Sequence, residues 1–246
     1  MSDTIPDGIF ITGTDTGVGK TIVTAGLASQ FKKSGLDVGV MKPIQTGCRS
    51  RRGELIAPDA RFLLQAVGID DPMDWVCPYR FKTPAAPLVA AERERRRIDL
   101  GRIKEAYRHL AYRHRVVVVE GIGGLLTPIT LTVSAVDLAL LLKLPLIVVA
   151  STRLGTLNHT LLTVRHAQQI GATVLGIILN CPRPSARNLA EETNAQVLSR
   201  LCPVPVLGTV PYMGGVNVEK GRLGRVRTLG DRLNKGLYHL GIKLNS

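Results

Sequence analysis

Apolar runs rich in β-branched residues alternate with longer segments of mixed polarity along this chain. Six such runs are predicted as strands, at residues 9–12, 38–42, 116–120, 146–150, 174–180 and 204–210. Most of them are apolar throughout, which is typical of strands that are covered on both faces. The segments between them have the length of helices. The pattern therefore predicts an α/β fold with a mostly parallel sheet and helices on both faces.

We expect a single domain over residues 1–246. No internal repeat, low-complexity tract or linker divides the chain, and 246 residues suffice for one large α/β core. Near the C-terminus, leucines at 229, 233, 237 and 240 recur at helical spacing, which predicts a helix over residues 228–244. In a parallel sheet, functional residues are expected at the carboxyl edge, where strands end and loops begin.

The first predicted strand runs directly into a glycine-rich turn. Residues 13–21 read Gly-Thr-Asp-Thr-Gly-Val-Gly-Lys-Thr. Glycines let consecutive backbone N–H groups close around phosphate oxygens, Lys20 can reach the terminal phosphates, and the Thr21 hydroxyl can ligate Mg²⁺. The helix that follows adds its N-terminal dipole. The turn predicts a P-loop NTPase-like fold that binds a nucleoside triphosphate, although its first glycine is Gly13, one residue earlier than usual, and Thr14 takes the usual position.

Polar residues at other strand ends are candidates for the chemistry. Lys42 ends the second predicted strand, where it can neutralise charge on a transferred phosphoryl group or serve only as a solvated strand end. Glu120 ends the third strand before a glycine turn, which makes it a candidate Mg²⁺ ligand. Asp59 could ligate the same ion or only cap its helix. Asn180 could bond a base edge or form a turn before Pro182.

The net charge of +13 at pH 7 is unusually high. It is compatible with nucleic-acid binding, but aromatic residues make up only 4% of the chain, and basic residues fall in three patches, at 49–52, 92–97 and 220–243. A nucleic-acid surface combines a continuous basic face with aromatic side chains for base stacking. We therefore expect no specific nucleic-acid partner and a surface that attracts anions such as ATP. The patch at 92–97 carries both signs and is expected at a solvated helix end or loop.

Cysteines and apolar runs indicate the compartment. The chain has four cysteines, Cys48, Cys77, Cys181 and Cys202. They form no C-x-x-C pair and have no histidine at metal-ligand spacing, so we expect reduced thiols in a cytoplasmic protein. The longest apolar run, residues 138–150, is interrupted by Lys143 and Pro145 and is too short to span a membrane. Residues 1–8 are short and polar, so we expect no targeting signal and no membrane partner.

Six motifs follow one another along the chain. They are Gly-Thr-Asp-Thr-Gly-Val-Gly-Lys-Thr (13–21), Lys-Pro-Ile-Gln-Thr-Gly (42–47), Pro-Ala-Ala-Pro (84–87), Glu-Gly-Ile-Gly-Gly-Leu-Leu-Thr-Pro (120–128), Leu-Gly-Thr-Leu-Asn-His (154–159) and Gly-Ile-Ile-Leu-Asn (176–180). In this order and at similar separations, they resemble the ATP-dependent dethiobiotin synthetase family over roughly residues 9–213. That family shares the early first glycine.

The resemblance implies the penultimate step of biotin biosynthesis. An ATP- and Mg²⁺-dependent ligase carboxylates 7,8-diaminononanoate with CO₂ and closes the ureido ring, giving dethiobiotin, ADP and phosphate. It also implies a homodimer in which the site for the substrate carboxylate is shared between subunits.

The resemblance also implies a role for each site residue. Lys42 and Lys20 would be catalytic, and Thr21, Asp59 and Glu120 would surround Mg²⁺. The phosphates of ATP would be held by Gly17, Val18, Gly19, Lys20, Thr21 and Ile22. The rest of the nucleotide site would include Asp59, Glu120, Gly121, Ile122, Gly123 and Cys181, with adenine held by Asn180, Pro211, Tyr212 and Met213. The substrate would contact Thr46, and its remote carboxylate would be received by the partner subunit's helix end at Gly155, Thr156, Leu157 and Asn158.

Three segments depart from the family pattern. A family glutamate that contacts the nucleotide follows the turn at 211–213, but residues 214–218 contain none, and Glu219 matches only after a shift of one residue. The loop at 49–58, with three arginines, and the basic segment at 220–246 have no clear counterpart.

Two other classes of ATP-using protein share part of this pattern. A ParA- or MinD-like partition ATPase acts on DNA or membrane, but its signature lysine, five residues before Lys20, would stand at position 15, which is Asp15. A glutamine-dependent cobyric acid synthetase needs a long amidotransferase half for which this chain is too short.

Overall fold

A computed structural model describes residues 6–184, 189–230 and 233 of the chain. The described part contains ten strands: β1 (Gly8–Gly13), β2 (Val38–Met41), β3 (Ile44–Gln45), β4 (Arg49–Arg51), β5 (Glu54–Ile56), β6 (Tyr79–Arg80), β7 (Val116–Glu120), β8 (Leu146–Ser151), β9 (Val174–Asn180) and β10 (Val206–Val210). Six of them, in the order β10-β9-β8-β1-β7-β2, form one sheet in which every neighbouring pair is parallel. These are the six predicted strands, so the expected α/β fold is confirmed.

The helices lie on both faces of this sheet. They are α1 (Lys20–Lys33), α2 (Pro58–Val67), α3 (Met73–Val76), α4 (Pro87–Arg93), α5 (Leu100–Arg113), α6 (Ala135–Leu141), α7 (Thr156–Gln169) and α8 (Leu189–Leu201). Successive side chains of β1 point to opposite faces of the sheet, so the core has a part on each face. Ile9 and Ile11 pack with Phe31 of α1 and Phe62 of α2 on one face, whereas Phe10 packs on the other. Every residue of β1 is buried, as expected for a central strand.

Two small sheets lie beside the main one. Strand β3 pairs with β6, and β4 pairs with β5 as an antiparallel hairpin that turns at Arg52 and Gly53. Both turn residues have positive φ angles, 52° and 83°. The loop at 49–58 therefore contains this hairpin and leads into the start of α2. The patch at 92–97 does lie at a helix end, since α4 ends at Arg93.

The C-terminal part packs against α1. The predicted helix at 228–244 falls almost entirely outside the described residues, which include a 3₁₀ turn at Val226–Thr228 and the buried Leu229 and Leu233. A Cβ atom at Gly26 of α1 would lie 2.7 Å from Leu229 Cδ2, so the glycine permits close packing. Among the helices in the described ranges, none has the length and apolar composition needed to cross a membrane.

Candidate active site

The phosphate-binding loop connects β1, which ends at Gly13, with α1, which begins at Lys20. Gly17 and Gly19 have φ angles of 77° and 97°, in the left-handed region that favours glycine. A Cβ atom at Gly19 would also lie 2.1 Å from Asn180 Nδ2. Gly19 is the N-cap of α1 and supplies no capping side chain, so the first N–H groups of the helix are left for an anion. The loop has the backbone geometry of a phosphate cradle.

The carboxyl ends of β2 and β7 bring opposite charges together beside this loop. Lys42 Nζ donates hydrogen bonds to Glu120 Oε1 at 2.6 Å and to the Gly121 carbonyl oxygen at 3.0 Å. It also lies 3.2 Å from Asp59 Oδ2. The Thr21 hydroxyl donates to the same Glu120 oxygen at 2.8 Å. Residues from four separate parts of the sequence thus form one polar cluster.

Burial and nearby charges shift the pKa values of the ionisable side chains around this cluster. Burial, together with the nearby charge of Lys42, lowers the pKa of Lys20 to about 8. Burial also opposes the charge on Lys42, but the carboxylates of Glu120 and Asp59 outweigh it, so the pKa of Lys42 is raised. The pKa of Glu120 is raised by burial, while Lys42 acts in the opposite direction. Lys20 Nζ donates a hydrogen bond to the Asp15 carbonyl oxygen at 2.9 Å.

The position of Asp59 resolves an ambiguity of the sequence. It lies in the first turn of α2, whose N-cap is Ala57, so Asp59 is not the helix cap. Its carboxylate instead faces Lys42. The interpretation of Asp59 as only a cap was wrong, because the helix begins one residue earlier, at Pro58.

A cavity of about 330 Å³ contains this cluster and the phosphate loop. Its lining consists of Thr16, Gly17, Gly19, Lys20, Thr21, Ile22, Lys42, Gln45, Thr46, Asp59, Glu120, Ile122, Gly123 and Val218. Three of these, Thr16, Gln45 and Val218, were not predicted as site residues. Thr16 and Gln45 lie within the motifs at 13–21 and 42–47, whereas nothing local in the sequence indicated Val218. A larger cavity of about 780 Å³ beside α4 has none of these groups in its lining, so the smaller one is the better candidate.

The predicted adenine-binding residues lie at the ends of β9 and β10. Asn180 is buried and donates its Nδ2 hydrogen to the Val18 carbonyl oxygen at 2.8 Å, which ties β9 to the phosphate loop. The Cys181 backbone N–H donates to the Val210 carbonyl oxygen at 2.9 Å, immediately before Pro211. Tyr212 is exposed. Glu219 lies 3.7 Å from Arg49 of β4, and both side chains are exposed.

The predicted carboxylate-binding residues open α7. Gly155 is the N-cap with a φ of 91°, and Thr156 is the first residue of the helix, so the predicted helix start is confirmed. Asn194 of α8 donates to the Thr152 carbonyl oxygen at 2.9 Å and supports the preceding loop. Residues 155–158 are not part of the lining of the cavity around Lys42. Within one chain, the structure therefore does not bring this helix end to the phosphate site.

The oxygen donors of the cluster fit Mg²⁺. Glu120 Oε2 is buried and has no hydrogen-bond partner among the described residues. The Thr21 hydroxyl and the Asp59 carboxylate lie within the same cluster, and Mg²⁺ in phosphoryl-transfer sites is held by one or two carboxylates together with phosphates. An unpartnered carboxylate oxygen is costly in a folded chain unless a further group engages it. The three predicted metal ligands are thus compatible with the ion.

Comparison with known proteins identifies similar sequences over most of the chain. A family model described as an AAA domain matches residues 7–220. An ATP-dependent dethiobiotin synthetase of Thermodesulfovibrio yellowstonii is 40% identical over 220 residues, covering 87% of this chain and 92% of the relative. One from Anaeromyxobacter dehalogenans is 43% identical over 219 residues, covering 89% and 96%. One from Bacillus cereus is 40% identical over 208 residues, covering 85% and 84%.

Similar solved structures share the fold at low sequence identity. A MinC:MinD cell division complex from Aquifex aeolicus has a TM-score of 0.58 at 12% identity and covers 98% of both chains. A ParA family ATPase from Chlorobium tepidum has a TM-score of 0.56 at 14% identity, covering 96% of this chain and 99% of that one. At such identities the likeness supports the P-loop fold and no specific activity.

Proposed function

Because this chain belongs to the ATP-dependent dethiobiotin synthetase family, we propose that it carboxylates 7,8-diaminononanoate and closes the ureido ring in the cavity around Lys42. The chain is an ATP-dependent ligase. The location of the chemistry is inferred from one cluster beside the phosphate loop, in which the buried Lys42 and Glu120 meet the partly buried Asp59. We propose that the terminal phosphate of ATP binds beside this cation and these two carboxylates.

The reaction needs no protein nucleophile. One substrate amine adds to CO₂ and loses a proton to form a carbamate. A carbamate oxygen attacks the γ-phosphorus of ATP, and the bond to ADP breaks. The second amine then attacks the activated carbonyl carbon, closing a five-membered ring and expelling phosphate, with loss of one proton from nitrogen. Ring closure is intramolecular, so correct geometry alone gives an effective molarity on the order of 10⁵ M or more.

The two lysines stabilise charge at different stages. Lys20 belongs to the phosphate loop and is proposed to contact the β- and γ-phosphates of bound ATP. Lys42 is proposed to neutralise charge on the phosphoryl group as it moves to the carbamate, for which positioning and positive charge are the main requirements. The raised pKa of Lys42 keeps it protonated for this role. Thr46, at the edge of the same cavity, is proposed to contact the substrate.

Thr21, Asp59 and Glu120 are proposed to hold Mg²⁺. The ion, when bound, would neutralise negative charge on the phosphate oxygens. The three side chains would position it between the loop and the end of β7.

The remaining nucleotide contacts are proposed from position in the chain. Residues 17–22 would bind the phosphates, and residues 121–123 would border them. Asn180 uses Nδ2 for Val18, so Oδ1 is the atom proposed to accept from the adenine amino group. Cys181 and the turn at 211–213 would complete the base site.

A homodimer is proposed to complete the substrate site. The N–H groups at the start of α7 can bind a carboxylate, and the proposal assigns residues 155–158 to the remote carboxylate of a substrate bound by the partner subunit. Support comes from exposed leucines just before α7, within α7 and on the loop after β7, which would be covered on association. They are Leu126, Leu131, Leu154 and Leu162. We propose one domain over residues 1–246 in each subunit.

We propose that the reaction takes place in the cytoplasm. All four cysteines are free thiols, three of them buried, which suits a reducing compartment. The substrates proposed are small molecules, and neither a specific nucleic acid nor a membrane is proposed as a partner.

Phosphate release tests the proposed reaction. It should require diaminononanoate and bicarbonate together with ATP and Mg²⁺, because the carbamate is the nucleophile, and mass analysis should identify a cyclic urea. Each component is omitted in turn, and duplex DNA and anionic vesicles are added in separate arms. Phosphate release that is independent of the diamine but rises with DNA or vesicles would indicate a partition ATPase instead.

A further inference from the structure

Helix α2 brings one residue into the reaction cavity. Among the described residues that line the cavity, Asp59 is the contribution of α2, and its carboxylate lies 3.2 Å from Lys42 Nζ. Because the helix is a rigid rod, a displacement along its axis would move Asp59 relative to Lys42 by the same amount. The contacts at both ends of α2 therefore affect the distance between Asp59 and Lys42.

The first turn of α2 is held by a glutamine from another element. The N-cap, Ala57, has no side-chain oxygen for the free N–H groups of the helix. Gln45 Oε1 accepts a hydrogen bond from the backbone N–H of Ala60 at 3.4 Å. Ala60 is the third residue of the helix, where a capping side chain normally binds. The backbone of Gln45 is itself fixed, because its carbonyl oxygen accepts from the Phe81 N–H at 2.8 Å.

The last turn of α2 is held by an arginine from the C-terminal segment. Arg227 donates from Nε to the Ala66 carbonyl oxygen at 2.8 Å and from Nη2 to the Gln65 carbonyl oxygen at 2.7 Å. A cation is favourable here because the carbonyl groups at a helix C-terminus carry partial negative charge. Lys32 of α1 donates to the next carbonyl oxygen, that of Val67, at 2.9 Å. The carbonyl groups at this helix end thus have partners from two other segments.

Arg227 is held in place by the residues around it. Val226 and Leu229 on either side are almost fully buried in the core that contains α1 and α2. Val218, which lies just before the segment at 220–246, lines the reaction cavity. The segment that has no clear counterpart in the family pattern therefore contacts the far end of α2 through Arg227 and follows directly after a residue of the cavity wall.

We propose that Gln45 and Arg227 are positioning residues that set Asp59 against Lys42 by holding the two ends of α2. The inference rests on the proposed role of Asp59 at the Mg²⁺ site. Gln45 joins the first turn to the strand beside Lys42, and Arg227 joins the last turn to the core under α1. With both ends held, the helix cannot slide along its axis without breaking hydrogen bonds at either end.

The test measures how much Mg²⁺ is needed for binding of a non-hydrolysable ATP analogue, by calorimetry at 25 °C. The variants are Gln45→Met, which removes the acceptor at similar length, and Arg227→Met, with Asp59→Asn as the reference for direct loss of the carboxylate. Arg227→Lys keeps a cation at the end of α2. Arg225→Met removes an exposed arginine two residues from Arg227 and is the matched control. Hydrogen exchange of α2 peptides is recorded for each protein.

We expect Gln45→Met and Arg227→Met each to raise the Mg²⁺ requirement about tenfold and to speed exchange in α2, as is usual when a residue supporting a metal ligand is removed. Arg227→Lys and Arg225→Met should stay near wild type. A raised requirement in Asp59→Asn alone, with both Met variants at the wild-type value, overturns the positioning role and leaves the proposed site intact. An unchanged requirement in Asp59→Asn overturns the proposed metal role of Asp59 and the inference with it. A lower melting temperature in the Met variants without a change in Mg²⁺ requirement identifies a purely structural role and also overturns the inference.

Discussion

Lys42 Nζ and Glu120 Oε1 lie 2.6 Å apart, although 78 residues separate them in the sequence. The register of the sheet explains the contact. Met41 of β2 is paired with Val119 of β7, so the next residue of each strand emerges at the same point of the carboxyl edge. Both side chains are almost fully buried. The sheet therefore places a cation and a carboxylate at one position beside the phosphate loop.

Lys20→Ala and Lys42→Ala should impair different steps, ATP binding in the first and phosphoryl transfer in the second. Lys20 faces phosphates in both the ground state and the transition state, so its loss should weaken ATP binding and slow the reaction. Lys42 should matter mainly when charge shifts during transfer, so Lys42→Ala should lower single-turnover rates by about a hundredfold or more with little change in ATP affinity. Equilibrium binding and single-turnover assays separate the two.

Folding must be checked in Lys42→Ala, because loss of the lysine side chain leaves Glu120 and Asp59 without their shared cation. Melting curves serve as the control. If Lys42→Ala lowered ATP affinity as much as Lys20→Ala and left single-turnover chemistry intact, Lys42 would be a binding residue and not a catalytic one.

Residues at strand ends were predictable because they follow a local rule. Lys42 and Glu120 each end an apolar run, and parallel strands end at a shared edge, so their position at that edge followed from the sequence pattern. Their direct contact depends on the pairing of β2 with β7, which the pattern did not predict. The phosphate loop was predictable for a similar reason, since consecutive residues contribute all of its phosphate-binding groups.

Contacts between distant segments were not predictable in this way. Gln45 reaches Ala60, and Arg227 reaches Ala66, through tertiary packing that leaves no periodic signal in the sequence. The role of Asp59 was ambiguous for a related reason. A carboxylate near a helix start can cap the helix or face outward, and only the position of Ala57 as N-cap decides between the two.

The cysteines should react with thiol reagents in a fixed order. Burial raises the pKa of the Cys48 thiol to about 11, and Cys77 is fully buried, whereas Cys202 is partly exposed. A thiol reacts as the thiolate, and at pH 9 the Cys48 thiol should still be about 99% protonated. With a disulfide reagent, Cys202→Ser should remove the fastest phase and Cys48→Ser should leave it unchanged at both pH 7 and pH 9. Loss of the fast phase in Cys48→Ser would contradict the buried position of that thiol.

His114 should contribute much more to stability than an exposed ion pair. Its Nδ1 atom lies 2.8 Å from Asp37 Oδ1, and its Nε2 atom lies 2.8 Å from Oδ2 of the buried Asp71. His114→Ala leaves Oδ2 of Asp71 without this hydrogen bond, although Asp71 keeps its ion pair with Arg113 at 3.3 Å, so the free energy of unfolding should fall by about 2 kcal/mol. Arg49→Ala, which breaks the exposed pair with Glu219, should cost less than about 1 kcal/mol. Urea unfolding at pH 7 measures both, and equal losses would contradict the expectation.

Glu120→Gln should nearly abolish turnover while the chain remains folded. The glutamine has the same shape, and its carbonyl oxygen can still accept from Thr21 and Lys42, while Lys42 keeps Asp59 as a charged partner. The lost charge leaves Mg²⁺ with one fewer anionic ligand, so we expect turnover to fall by at least about a hundredfold. Thermal melting with and without Mg²⁺ and an ATP analogue tests the cause, because a ligand raises the melting temperature in proportion to its binding free energy. The variant should melt as a folded protein but gain less from Mg²⁺ and analogue than the wild type does. Normal turnover in Glu120→Gln would assign the residue to the stability of the cluster and remove it from the metal site.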